Sequence, residues 1–125
     1  MRQDEYNNVV IKKPATVGFE DKPAVIIQGH LDMVAQKDAD STHDFMKDPI
    51  ELIVDGDFIT ANKTTLGADD GIAVAVGLAL LDDSTINHPE LEVIFTSDEE
   101  TGMDGAMGLD MSDINGKYML NLDSE

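Results

Sequence analysis

The sequence has no cysteine and no tryptophan, and basic residues are few. Without cysteine, disulfides and thiolate metal sites are excluded, and the composition fits a reducing compartment. Eight Lys and Arg residues stand against 26 Asp and Glu, which gives a formal net charge of −18. Such a surface repels nucleic acid and anionic membranes, so neither is expected as a partner. The acidic excess fits either simple solubility or carboxylates that face bound cations.

Long hydrophobic runs are also missing. No apolar run approaches the roughly 20 residues that span a bilayer, and the N-terminus has no apolar signal segment. The chain is therefore expected to be soluble and cytoplasmic. Its 125 residues, 42% of them hydrophobic, suit one domain with a moderate core. The last residues, YMLNLDSE, resemble a strand that stops as it delivers its polar residues, which predicts part of a longer protein. A short native chain is the alternative.

Short apolar segments alternate with helical ones along the chain. Strands are predicted at residues 7–12, 24–28, 50–54, 58–61, 91–96 and 117–122, and the third and fourth form a hairpin around DGD. Residues 34–48 are polar and irregular, which predicts a loop. Residues 70–81 predict a buried helix that packs through its small residues Ala73, Ala75 and Gly77, and residues 103–109 predict a short helix. Interleaved strands and helices predict a layered α/β fold.

Four polar clusters fall at the ends of these predicted elements. GHLDM, TSDEE and LDSE each follow a predicted strand, and GADDG enters the predicted helix at residue 70. In open α/β sheets, ligands bind beyond the carboxyl ends of the strands. We therefore expect the four clusters to converge on that rim of the sheet.

His30 and Asp32 form the first candidate group. His30 alone would be read as a buried structural histidine. Asp32 lies two residues further on, so strand alternation sends both side chains to the same face. A carboxylate in that position orients an imidazole, as metal-binding histidines usually require.

The acidic candidates also have simpler interpretations, which we weigh as a set. Asp69 and Asp70 could cap the helix, and we expect Asp70 to do so while Asp69 points into the crevice. Glu99 and Glu100 could be a solvated strand end, and Asp123 could be a turn residue. With the structural reading of His30, these make four coincidences on one rim, which are improbable together, so a shared site is favoured.

One histidine and several carboxylates suit a divalent ion such as Zn²⁺, Mn²⁺ or Co²⁺. So many donors exceed the needs of a single open catalytic ion. A two-metal site with one shared carboxylate uses them all, with ions about 3.5–4 Å apart. Two adjacent glutamates then have separate tasks, because one ligates a metal and the other takes the proton from a metal-activated water.

The motifs GHLDM, TTLGADDGIA, TSDEETGMDGA and NLDSE resemble the co-catalytic metallopeptidases of the M20 clan. The longer stretches GHLDMVAQK, THDFMKDPI and EETGMDGAMGL resemble its aminoacyl-histidine (Xaa-His) dipeptidase branch. The resemblance runs from about residue 9 to residue 125 and includes spacer residues as well as candidate ligands. It implies an α/β/α sandwich of the zinc-peptidase type, with the metal site at the C-terminal rim of the strands.

The resemblance also assigns roles to the candidate residues. His30, Asp69 and Asp123 would hold one metal, and Asp69 would bridge to a second. Glu100 would hold the second metal, Asp32 would support His30, and Glu99 would be the general base. The implied reaction is hydrolysis of Xaa-His dipeptides in the cytoplasm with two divalent ions, zinc first and manganese or cobalt as alternatives.

The chain departs from the family in what it does not contain. The family takes a further histidine for the second metal from far down its chain, and its separate lid domain dimerises and helps to recognise substrate. We therefore expect residues 1–125 to be part of a catalytic domain and to be inactive alone. The parent enzyme is expected to be a homodimer.

Two histidines and two other functional classes remain. His43 and His88 match no ligand position and are expected to be surface or structural. A non-catalytic cation-binding module stays open, although a calcium loop starting at Asp38 would need glycine where His43 stands. A structural domain whose carboxylates never meet metal is the other alternative.

Overall fold

The computed structural model describes residues 1–123, which form a five-stranded mixed sheet, a hairpin and two helices. In chain order the elements are β1 (Arg2–Gln3), β2 (Val9–Lys13), β3 (Val25–His30), β4 (Leu52–Asp55), β5 (Phe58–Ala61), α1 (Ala68–Asp82), β6 (Leu91–Thr96), α2 (Asp104–Gly108) and β7 (Tyr118–Asn121). The main sheet has the order β1-β2-β6-β3-β7, and β4 pairs with β5. β3 is parallel to β6 and β7, whereas β2 is antiparallel to β6. Neither described helix has the length and apolar character needed to cross a membrane.

β6 is the most buried strand, and its two faces pack against different layers. All six of its residues are buried. Val93 and Phe95 join Ile27 in a core on the α1 side of the sheet. Ile94 joins a second core on the opposite side, where residues after α2 also pack. The predicted three-layer α/β arrangement is therefore confirmed.

The predicted elements are found, with shifts of one or two residues at most ends. Residues 58–61 and 91–96 are strands as predicted, and residues 34–48 form a loop. β1 was not predicted, because two residues carry no periodic signal. β3 extends to His30, two residues past its predicted end, since Gly29 and His30 continue the parallel register opposite Phe95 and Thr96.

The prediction that α1 is buried through three small residues is partly wrong. Ala73 and Gly77 face the sheet, but Ala75 is exposed. Ile72 and Leu78 are 62% and 51% exposed. A helix on one face of a sheet buries only one side, and no element within residues 1–123 covers the other side of α1.

Candidate metal site

His30 ends β3 with its imidazole fixed on both sides. The residue is 1% exposed. Its Nδ1 lies 2.9 Å from the main-chain oxygen of Asp32, and its Nε2 lies 3.0 Å from Oδ1 of Asp69. Because a carbonyl oxygen only accepts hydrogen bonds, Nδ1 carries a proton. By the same argument, Nε2 donates a proton to the Asp69 carboxylate, and Nε2 becomes a ligand atom when a metal takes the place of that proton.

Burial lowers the pKa of His30, but its anionic neighbours outweigh that effect. The hydrogen bond with Asp69 raises the pKa most, followed by the contacts with Asp32 and the charge of Asp123. The net result is a pKa above the ordinary value of 6.5. The imidazole therefore lies in a strongly negative environment. A cation bound at Nε2 would experience the same environment.

The entrance to α1 places Asp69 and Asp70 on different sides of the chain. Both residues have non-helical backbone angles, so the regular helix begins after them. Asp70 is buried, and its carboxylate accepts hydrogen bonds from the main-chain N–H groups of His30 at 3.2 Å and Ala73 at 3.3 Å. Asp70 thus makes the capping contact expected of it. Asp69 is 74% exposed and points towards His30.

Glycine allows this close approach of β3 and α1. A Cβ added at Gly29 would lie 2.5 Å from Oδ2 of Asp70, so a larger residue would displace the buried carboxylate. Gly67, which precedes α1, has a φ of 74°, a conformation that residues with side chains rarely adopt. These two positions let the helix entrance meet the end of β3.

Glu100 completes a group of three possible metal ligands. One ligand atom each from His30, Asp69 and Glu100 lies within 4.8 Å of the other two. The turn that carries Glu100 follows β6, whose last residue pairs with His30 across the sheet. The convergence of strand ends predicted from the sequence therefore brings these three side chains together.

Asp123 and Glu99 lie beside this group rather than within it. Both border a cavity of about 280 Å³ on the face of the sheet that carries Ile94 and Thr96. Asp69 and Glu100 border a separate recess. The predicted roles of Asp123 as a ligand and of Glu99 as a base remain predictions.

The donor set suits a divalent ion of borderline softness. It consists of one imidazole nitrogen and two carboxylate oxygens, the ligands that zinc, manganese and cobalt accept. In the described part of the chain, the ion pairs of lysine and arginine do not involve Asp69 or Glu100. His30 is the one described basic residue that pairs with Asp69, and a bound divalent cation would balance the remaining negative charge of Asp69 and Glu100.

The other two histidines stay outside the group. His88 is buried, and its Nδ1 lies 2.7 Å from the main-chain oxygen of Pro89. The ring of His43 packs edge to face against Phe45 at 4.6 Å. Both have the structural surroundings that the sequence suggested.

One residue near the site could not be found from the sequence. Asn8 is 1% exposed, and its amide accepts a hydrogen bond from the main-chain N–H of Ser97 and donates one to the oxygen of Gly105. It thereby joins the end of β6 to the start of α2. A single asparagine at the edge of a predicted strand gives no signal of such a role.

Comparison with known proteins identifies peptidases as relatives. No family model matches the chain. The chain is 48% identical over all 125 residues to the cytosol non-specific dipeptidase of Escherichia coli K12, of which it covers 26%. The crystal structure of aminoacylhistidine dipeptidase from Vibrio alginolyticus matches 99% of the chain with a TM-score of 0.94 and 52% identity, and 25% of that protein is covered. Aminopeptidase PepT from Bacillus cereus matches 94% of the chain with a TM-score of 0.69 and 29% identity, and 30% of it is covered.

These matches confirm the resemblance to the aminoacyl-histidine dipeptidases and the M20 peptidase fold. The chain spans about a quarter of the length of the Escherichia coli and Vibrio alginolyticus relatives.

Proposed function

We propose that the chain is the metal-binding part of a dipeptidase that hydrolyses Xaa-His dipeptides with two divalent ions. The observation that carries the proposal is the convergence of His30, Asp69 and Glu100 at the carboxyl ends of the parallel strands. The names of the relatives support a peptidase. Since the chain covers about a quarter of them, we assign the activity to a longer parent protein that contains this chain.

The proposed ligands divide between two ions. His30, Asp69 and Asp123 would hold the first ion, Asp69 would also serve the second, and Glu100 would complete the second. Zinc is the favoured metal, and manganese or cobalt would also suit the donors. When bound, such ions supply Lewis acidity that lowers the pKa of water and polarises a peptide carbonyl.

Glu99 is the proposed general base. Its side chain borders the cavity that Asp123 also borders, and Glu99 is not one of the three residues whose ligand atoms converge. It would accept a proton from the attacking water and deliver it to the amine that leaves when the C–N bond breaks. Asp32 would support His30, whose Nδ1 lies 2.9 Å from the main-chain oxygen of Asp32.

The proposal also covers the cellular location, the domain and the assembly of the parent protein. We place the parent protein in the cytoplasm, in keeping with the name of the Escherichia coli relative. Residues 1–125 form part of its catalytic domain, and a lid domain elsewhere in the parent would make it a homodimer. The isolated chain would lack the remaining ligand and the lid, so we expect no sustained catalysis from it.

The test follows the release of free histidine from β-alanyl-histidine by the parent protein with excess zinc, manganese or cobalt. Turnover that EDTA abolishes supports the proposal, and turnover that persists in EDTA contradicts it. The same assay on the 125-residue chain should show no sustained turnover.

A calorimetric titration with zinc or manganese separates the alternative classes. Binding that His30→Ala abolishes, without turnover by the parent protein, would favour a non-catalytic cation-binding domain. No binding at all would favour a structural domain.

A further inference from the structure

We propose that the carboxylate of Asp32 positions the turn that carries Glu99 and Glu100, whereas the main-chain carbonyl of Asp32 orients His30. The proposal rests on the proposed function, because it assigns Asp32 to the glutamate side of that site. Orientation of the histidine and positioning of the glutamates are thus assigned to different groups of the same residue.

The imidazole of His30 has a better partner than the Asp32 carboxylate. Its Nδ1 lies 2.9 Å from the Asp32 main-chain oxygen but 3.5 Å from Oδ1 of the same residue. The shorter distance is that of an ordinary hydrogen bond, and the longer one lies at the outer limit. The carbonyl therefore fixes the ring, and it would remain if the side chain were shortened.

The Asp32 carboxylate instead binds the turn after β6. Its Oδ1 accepts a hydrogen bond from the main-chain N–H of Glu99 at 3.2 Å, and its Oδ2 accepts one from the N–H of Glu100 at 3.1 Å. Both oxygens are used, one for each glutamate. Hydrogen bonds to an ionised carboxylate are about twice as strong as those between neutral groups.

The two ends of this turn are held independently of Asp32. Asn8 accepts a hydrogen bond from the N–H of Ser97 at 3.1 Å and donates one to the oxygen of Gly105 at 2.8 Å. A side chain at Gly105 would collide with the main chain of Ser97, so the helix start fits closely against the strand end. Loss of the Asp32 carboxylate should thus free the middle of the turn while β6 and α2 stay in place.

The consequence falls on the two glutamates rather than on His30. A general base works only when it is held close to its productive position, and a displacement of about 1 Å is costly. Glu100 must reach the group that contains His30 and Asp69. Asp32 is therefore a positioning residue for both the proposed base and the proposed second-metal ligand.

The experiment measures amide hydrogen exchange at Glu99 and Glu100 by NMR in the metal-free parent protein. The variants are Asp32→Ala, Asp32→Asn and, as a matched control from the same loop, Asp38→Asn, whose exposed side chain makes none of the described hydrogen bonds. We expect Asp32→Ala to accelerate exchange at both amides at least about tenfold, the scale of a charge-assisted hydrogen bond. The amide of Ser97 and the control variant should be unchanged.

Cobalt titration followed by absorption provides the second readout. In Asp32→Ala, affinity for the first cobalt ion should change less than about threefold, whereas the second should bind at least about tenfold more weakly. His30→Ala serves as the reference that loses the first ion.

Unchanged exchange at Glu99 and Glu100 in Asp32→Ala would overturn the proposal, and so would selective loss of the first cobalt ion. If Asp32→Ala does not fold, Asp32→Asn decides, because it keeps one acceptor oxygen and should expose one of the two amides. A wild-type protein that binds no metal would reject the proposed function, while the exchange result would still decide the role of Asp32 in the turn.

Discussion

The two ends of β6 hold carboxylates in opposite circumstances. Near the start of the strand, the side chain of Glu92 is fully buried, lies 2.9 Å from Nζ of Lys12, and accepts hydrogen bonds from the N–H groups of Asn115 and Gly116. Beyond the other end, Asp69 and Glu100 are exposed and converge on one buried imidazole. Partners within the protein satisfy the first carboxylate. The second group is arranged for a partner that the described residues do not supply.

This difference separates a structural carboxylate from a candidate ligand. An unpaired buried charge is costly, so an internal carboxylate needs the partners that Glu92 has. Exposed carboxylates can lie close together without such partners, because water solvates them, and a divalent cation is one partner that would balance their charge. The predictions below test whether the two ends of β6 respond to substitution as this distinction requires.

The largest effect should come from Asp69→Asn, compared with Asp70→Asn in the parent protein. The first change removes the charge of the proposed shared ligand, so we expect affinity for zinc to fall about 100-fold or more, since even outer partners contribute 10- to 100-fold. Asp70 binds main-chain N–H groups, and Asp70→Asn should keep the metal. Metal content after dialysis measures both, and equal content in the two variants would refute the assignment.

Substitution of the two adjacent glutamates should cause two different defects, one in catalysis and one in metal binding. Glu99→Gln in the parent protein should retain both metals and lose at least about 100-fold in kcat, the scale expected for removal of a general base. Glu100→Gln should weaken the second metal instead. Steady-state kinetics at saturating zinc, with metal analysis of the same samples, provides the measurement. Loss of metal with an unchanged rate in Glu99→Gln would show that the two roles are reversed.

Much of this arrangement could be predicted from sequence because it follows from strand ends. Three polar clusters follow apolar segments, and parallel strands bring their carboxyl ends to one rim, so the meeting of His30 and Glu100 was foreseeable. The regular helix after Asp70 could be expected for a similar reason, since aspartate favours the start of a helix.

What could not be predicted depends on three-dimensional neighbours. The sequence places Asp32 near His30, but only the structure shows that its carbonyl meets the ring and its carboxylate meets the turn. The exposure of Ala75 depends on which side of α1 meets the sheet. Asn8 acts through Ser97 and Gly105, about 90 or more residues away in sequence.

At the start of β6, Glu92→Gln should destabilise the fold without affecting metal. Glutamine keeps an acceptor for the N–H groups of Asn115 and Gly116 but loses the charge that faces Lys12. We expect a loss of about 2 kcal/mol in the free energy of unfolding at pH 7, the range for a buried hydrogen bond to a charged group. Urea unfolding of the 125-residue chain measures it, with the exposed Glu5→Gln as control. A loss no greater than in the control would contradict the structural role of Glu92.

The smallest expected effect is the pH dependence of the difference in unfolding free energy between wild type and Glu92→Gln. Burial raises the pKa of Glu92, but Lys12 and the N–H groups of Asn115 and Gly116 lower it further, so the net pKa lies below its ordinary value of 4.5. The unfolded chain therefore binds a proton at Glu92 more readily than the folded chain does. Its contribution to stability is fully present above about pH 4.5 and is lost as pH falls through the folded pKa.

We therefore expect the stability difference between wild type and Glu92→Gln to shrink as the pH falls from 7 to 3.5, because protonated Glu92 no longer favours the folded state. Urea unfolding at a series of pH values provides the measurement. Other carboxylates titrate in both proteins, so taking the difference isolates Glu92. A difference that stays constant or grows on acidification would mean that Lys12 and the two N–H groups do not stabilise the ionised form of Glu92.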